Sequence, residues 1–471
     1  MVIILSFHGI VSGQDDEGPL LKLHGPIHIN DSNFTGELPE GVTGNGTLDD
    51  PYLISGFWFN TTTSPGVVIR NSTRHVVVDY NLFVNGKLPK HPGILIENST
   101  NVRVRNVATY YCTRGVEVRN CSGIWIGDSG FFGSYDGVYV QGRSISIERV
   151  LCKVNVENGI LVNMSRNVTI SSVIAESNTA ILGLTAGIHL VDSSEVEIID
   201  TTTTLNYGFG IISETSNGSI VSSGIRIARS YIDTNNNGIF MMSIANSSIE
   251  ETSIRYNTNG IQLSAASDSI ISKCNFYKNT YGVFLSDSSG IAITGSDFEG
   301  NENAVYLDST DGAMVHHNVF SNGTWHAVTI DTWLGRGPPS RHNMVYANRF
   351  YDNGPKGFQA MDNGESNSWY EGTEGNLWSD HWGPDHDNDS IVDDPYIIDG
   401  IANATDEYPV AFDKGDAVDD DVPVEPDQNK KEGPGNGFWL IVGCSAGTIM
   451  VLLFAVLMIS GRRGRKPTPG P

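Results

Sequence analysis

The chain has 471 residues, 39% hydrophobic and 18% charged, with 52 Gly and 19 Pro, which is the composition of a folded protein and not of a low-complexity one. Its 29 Lys and Arg against 54 Asp and Glu leave a net charge of −25, which argues against nucleic acid as a partner. The 5 cysteines stand in unrelated contexts and show no zinc spacing and no disulfide framework. Cys112 and Cys121 are near enough in sequence for a bridge, and small residues buried in the fold are the other reading.

Residues 1–13, MVIILSFHGIVSG, read as the apolar part of a secretory signal without its usual positive start, or as a short buried strand. Residues 14–65, with Phe57, Trp58 and Phe59 and the phrase GNGTLDDPYLISGFWF, are the candidate N-terminal cap and first strands of a repetitive domain. From Gly93 one phrase then recurs, as GILIENSTNVRV, GVEVRNCSGIWI, GVYVQGRSISI, GILVNMSRNVTI and GIHLVDSSEVEI. Starts at 93, 115, 137 and 159, and again at 238, 260, 282 and 304, are 22 residues apart. Repeats of this period mean a solenoid.

Within each phrase apolar residues alternate with polar ones, as Ile94 and Ile96 or Val283 and Leu285, which is the period of a strand. A second apolar pair follows after a polar break, and a third apolar site recurs at Phe276, Phe298 and Phe320. Three short strands per coil predict an all-β, right-handed parallel β-helix over residues 66–354, a rod roughly 60 Å long at about 4.8 Å per coil. Copies of 28 residues at Gly159 and Gly210 are expected to keep the coil and extrude a loop.

Residues 355–410 are rich in Trp, Gly and Asp and are expected to plug the far end with Trp378, Trp382, Tyr396 and Tyr408. Residues 411–436 read as an acidic linker. Residues 437–460 include an uncharged run from Phe438 to Ile459, long enough to cross a bilayer of about 30 Å as a helix. The basic tail 461–471 would then lie in the cytoplasm, making this a single-pass protein of the cell membrane with the solenoid outside.

Four groups are candidates for chemistry. Asp385, Asp387, Asp389 and Asp393 space their carboxylates as a calcium loop does, with a structural role expected for the ion. Asp287, Asp308 and Asp331 stand at nearly the same place in adjacent coils, so Asp308 and Asp331, with His326 nearby, are catalytic candidates of glycosidase type. The competing reading is that Asp or Asn is the turn residue of every corner. The corners also write Asn-X-Ser/Thr acceptors, among them Asn33, Asn60, Asn71, Asn98, Asn246 and Asn403. His316, His317, His326, His342, His381 and His386 raise copper, although they follow no repeat.

The coils, the opening GNGTLDDPYLI and the closing GNLWSDHWGPDHDNDSIVDDPYIIDG with DEYPV resemble the NosD-like right-handed parallel β-helix proteins, over roughly residues 44–410. That resemblance implies a copper-linked accessory role, but no copper ligand of the family carries over to a position here. Asn388 and Ser390 replace glycines of the usual closing motif. The expected function is a surface binding or scaffold module for polysaccharide or envelope glycan. A polysaccharide lyase or hydrolase and a copper-handling accessory protein are the alternatives.

Overall fold

The computed structural model describes residues 21–31, 38–85, 90–179, 184–216, 221–332, 337–354 and 358–411. Through them the chain winds as a parallel β-solenoid in which 37 strands hydrogen-bond into one continuous sheet. The phrase-starting strands stack in order, Val67–Arg70 on Ile94–Glu97, then the first part of Arg114–Phe132, then Asp136–Lys153 and Asn158–Asn163. They continue through Tyr281–Ser286, Asn303–Asp308, Val328–Asp331 and Ala360–Asp362. The ladder also reaches back to Ile27–Ile29. In the longer copies Ile160 still pairs with Ile188 and Ile211 with Ile239, so the extra residues leave the coil intact.

The alternation of the sequence is the alternation of burial: Ile94 and Ile96 point inward and Leu95 outward. The small residue that opens each phrase is there because a Cβ on Gly260 would lie 2.5 Å from the carbonyl oxygen of Gly282 in the next coil. Inside, Phe276, Phe298, Phe320, Phe350, Trp378 and Tyr396 form one stack with ring centroids 4.0–5.0 Å apart. Beside it runs a buried asparagine ladder, Asn155, Asn178, Asn206, Asn235, Asn257, Asn279 and Asn301, each accepting from the backbone N–H of the one before. A second ladder, Asn318, Asn348 and Asn376, ends on Asp406, which also accepts from the Trp378 indole at 3.0 Å.

The ends are closed by short antiparallel pairs, Val42–Thr43 with Tyr52–Ser55 and Tyr396–Ile397 with Thr405–Asp406. Trp378 and Tyr396 are buried at the end of the stack, Trp382 is exposed, and the buried tryptophan beside Trp378 is Trp369. Cys112 and Cys121 are both buried and unbridged.

The expected fold class needs one correction. It joined the solenoid to a transmembrane helix, whereas the described residues contain no helix at all, and none is long and apolar enough to cross a membrane. The fold is all-β. The stretch 437–460 satisfies a length and hydropathy criterion, which states what a segment is able to do and not what it forms. It lies outside the described residues, as do 1–13, Asn33, nearly all of 411–436 and 461–471.

Candidate functional site

The outward positions of the phrase-starting strands form a row that runs the length of one face. Register partners place Glu117, Tyr139, Leu161, His189, Ile212, Phe240, Gln262, Phe284, Tyr306 and Thr329 in succession. Both described cavities open on this face.

The first, of about 560 Å³, lies near the N-terminal end and includes Arg70, Lys90, Arg114 and Arg119 with His28 and His91, against Glu117 as its one lining carboxylate. Counted with Glu97 and Asp136, with which its arginines pair, it sets four Lys and Arg against three carboxylates, a small positive excess in a chain of net charge −25. The arginines are braced from beneath: Arg70 donates to Glu97 at 2.6 Å, Arg119 to Glu117 at 2.7 Å and Arg114 to Asp136 at 3.2 Å. Arg114 also lies over the Tyr139 ring, 3.9 Å from its centroid. Burial pushes the Asp136 carboxyl above its usual range, although Asn158 and Arg114 both donate to it. Further along the face, His189 faces Glu214 at 3.1 Å, and burial holds its imidazole below the ordinary value.

The second cavity, of about 380 Å³, lies toward the C-terminal end and has Tyr281, Tyr306, Trp325, Thr329, Glu302 and Asp331 in its wall. Here Asp331 meets a partner: the Tyr306 hydroxyl donates to it at 3.4 Å. Burial, then the charges of Asp331 and Asp308, hold the Tyr306 phenol far above its usual range.

The expected aspartate ladder is only partly formed. Asp308 and Asp331 are register partners, but Asp308 pairs on its other side with Ser286, so Asp287 falls one position later, at the corner. The corner reading explains it: Asp287, like Asn71, Asn98 and Asn246, has a positive φ, 48° in its case. A constant period of 22 carries Asp287 to Ser309 and not to Asp308. His326 is buried, with its Nε2 3.9 Å from an Asp399 carboxylate oxygen.

Of the four calcium candidates, Asp385, Asp387 and Asp389 bring side-chain oxygens within 4.8 Å of one another, a donor set suited to a hard cation. Repulsion from Asp389 raises the Asp387 carboxyl. Asp393 is drawn away to His386, which donates its backbone N–H to it at 3.0 Å. The acceptor asparagines Asn60, Asn71, Asn98, Asn246 and Asn403 are exposed. The histidines raised for copper are dispersed: His316 and His317 touch, with Nδ1 atoms 2.9 Å apart, while His342 binds Asp311 and His381 the Asp394 carbonyl.

Residues 42–222 and 181–320, between them more than half of the chain, match the family profile described as the right handed beta helix region. The chain belongs to the right-handed β-helix family. No curated protein matches this β-helix by sequence. Solved structures similar to it include the A-module of mannuronan C-5 epimerase AlgE4 from Azotobacter vinelandii, at 12% identity and TM-score 0.41, covering 56% of this chain and 86% of that one. The periplasmic alginate epimerase AlgG is similar at 13% identity and TM-score 0.36, over 68% and 81% of the two chains. Tailspike protein 2 of Escherichia coli O157:H7 bacteriophage CAB120 is similar at 12% identity and TM-score 0.36, over 55% and 38%.

Of the cavity-lining residues Arg70, Lys90, Arg114, Arg119, Tyr281, Tyr306 and Trp325, Tyr306 had a signal in the sequence. Tyr306 occupies the third position of its phrase, where GVE, GVY, GIH, GVF and AVY print the outward row directly.

Proposed function

We propose that the β-helix is a binding module for an extended polysaccharide that lies along the outer face of the phrase-starting strands, with acidic units at the first cavity. The observation that carries this reading is that the two cavities share one sheet face. At about 4.8 Å per strand they lie about 40 Å apart, a span that suits a polymer and not a small molecule. The cationic wall of the first cavity supports an acidic sugar there, since unlike charge both steers and holds such a ligand. Binding is favoured over the hydrolase reading because Asp331 accepts from the Tyr306 hydroxyl at 3.4 Å and Asp287 stands out of register with Asp308. It is favoured over copper handling because the only group of three metal-binding side chains among the described residues is the acidic loop.

Calorimetry with an acidic polysaccharide and with its disaccharide tests the reading. A polymer long enough to run along the face should bind more tightly than the disaccharide, which reaches the first cavity alone. Lys90→Glu should weaken polymer binding about tenfold, and added salt should weaken it further. Equal affinity for disaccharide and polymer, or no binding of any glycan, overturns it.

A further inference from the structure

The second cavity has the opposite character to the first. Its wall has no lysine or arginine; it has two carboxylates, Glu302 and Asp331, and the rings of Tyr281, Tyr306 and Trp325. Tyr281 and Tyr306 meet edge to face with centroids 5.8 Å apart, and Phe284 stacks behind Tyr306 at 5.4 Å, so the aromatic floor is fixed. Trp325, in the same wall, is 51% exposed. Both tyrosine hydroxyls are held protonated beyond their usual range, by burial first and then by Glu302 at Tyr281 and Asp331 at Tyr306. With two carboxylates and no lysine or arginine in its wall, the cavity carries negative charge.

Register places the two carboxylates at opposite margins of the face. Glu302 precedes the strand Asn303–Asp308, and Asp331 ends the strand Val328–Asp331 that pairs with it. The width of the strand separates the two positions, so no single ion is held by both; between them stand the rings of Tyr281, Tyr306 and Trp325 beside Asn303, Thr324 and Thr329. Ring faces beside carboxylates favour an organic cation, and an exposed indole favours the apolar face of a sugar ring.

We infer that this cavity binds amino sugars in their unacetylated, cationic form, with ammonium groups set against Glu302 and Asp331 and a pyranose ring against Trp325. The inference rests on the glycan reading above and adds the sign of the charge at this end. A polymer carrying acidic units at one end of the face and amino units at the other has only one favourable direction along it.

The test uses the full chain, Trp fluorescence and calorimetry, with glucosamine oligomers, the same oligomers fully N-acetylated, and a lysine homopolymer. The glucosamine oligomers should bind and the acetylated ones should bind at least tenfold more weakly. Glu302→Gln and Asp331→Asn, both near-isosteric, should each weaken the glucosamine oligomer about tenfold, the loss expected of one charged hydrogen bond. Trp325→Ala should weaken it without removing the preference for the free amine. Equal binding of the acetylated oligomer overturns the amino-sugar assignment while leaving the glycan reading in place. Binding of neither oligomer, with the acidic polysaccharide unbound as well, overturns both. Lysine polymer bound as tightly as the sugar, with Trp325→Ala silent, makes the cavity a site for protein cations and also overturns the assignment.

Discussion

Asn279 shows how much a single side chain carries here. Its Oδ1 accepts from the backbone N–H of Asn257 at 3.0 Å, and its amide donates to the Ile254 carbonyl at 3.0 Å and to Asn301 at 3.0 Å. Replacement by Ala leaves several buried polar groups unpaired, each worth about 1–3 kcal/mol. Asn279→Ala should therefore cost about 3 kcal/mol or more, read as a lower midpoint in urea unfolding, and a loss under about 1 kcal/mol would mean that water enters the ladder. At the surface, Asp393 raises the His386 imidazole and is itself lowered by it. That pair holds from the lowered Asp393 value up to the raised His386 value. It is lost as pH falls through the first or rises through the second. NMR titration should find His386 above the ordinary histidine value of about 6.5, returning to it in Asp393→Asn.

The strands and their corners obey a rule of neighbours. Phe298 lies between Phe276 at 4.4 Å and Phe320 at 4.9 Å, so Phe298→Ala opens a void that the coils above and below cannot close. A loss of about 3–5 kcal/mol is expected. Hydrogen exchange should show the lost protection centred on the third strands Asn275–Tyr277 and Val319–Ser321 and fading within a coil or two. Uniform loss over the whole solenoid would contradict nearest-neighbour stability. The corners belong to the same rule: Ser288 follows the left-handed Asp287, donates to the Ser286 carbonyl at 2.9 Å and accepts the Ala266 N–H of the coil before it at 3.1 Å. A polar residue with a tolerance for positive φ is thus needed at the corner whether or not it has any chemistry to do.

The solenoid as a unit makes coils interchangeable. Deleting residues 238–259 removes one coil and joins Asn237 to Gly260, which is the bond its own register permits because Asn237 pairs with Asn259. The shortened chain should keep its strand circular dichroism, and X-ray scattering should find the solenoid shorter by about 4.8 Å. The two cavities then approach by the same amount, so polymer affinity should change modestly while disaccharide affinity stays constant.

The phrase period, the inward Ile and Val, the stacked Phe residues and the corner asparagines were all legible in the 471 letters, because each is dictated within a coil or by the coil next to it. The offset between Asp287 and Asp308 is written in the period as well, since 22 residues carry Asp287 to Ser309. The buried ladders were written as plainly, in Asn257, Asn279 and Asn301 at steps of 22, but a polar residue reads as exposed until the coil around it supplies its partners. The cavities were beyond such reading. His28 and Arg119, or Tyr281 and Met361, share a wall only after the chain has wound round several times. Local pattern and near-neighbour stacking decide a solenoid's strands, core and corners. Which outward side chains stand together, and with what sign of charge, is decided by register summed over many coils and by where the longer ones extrude their loops.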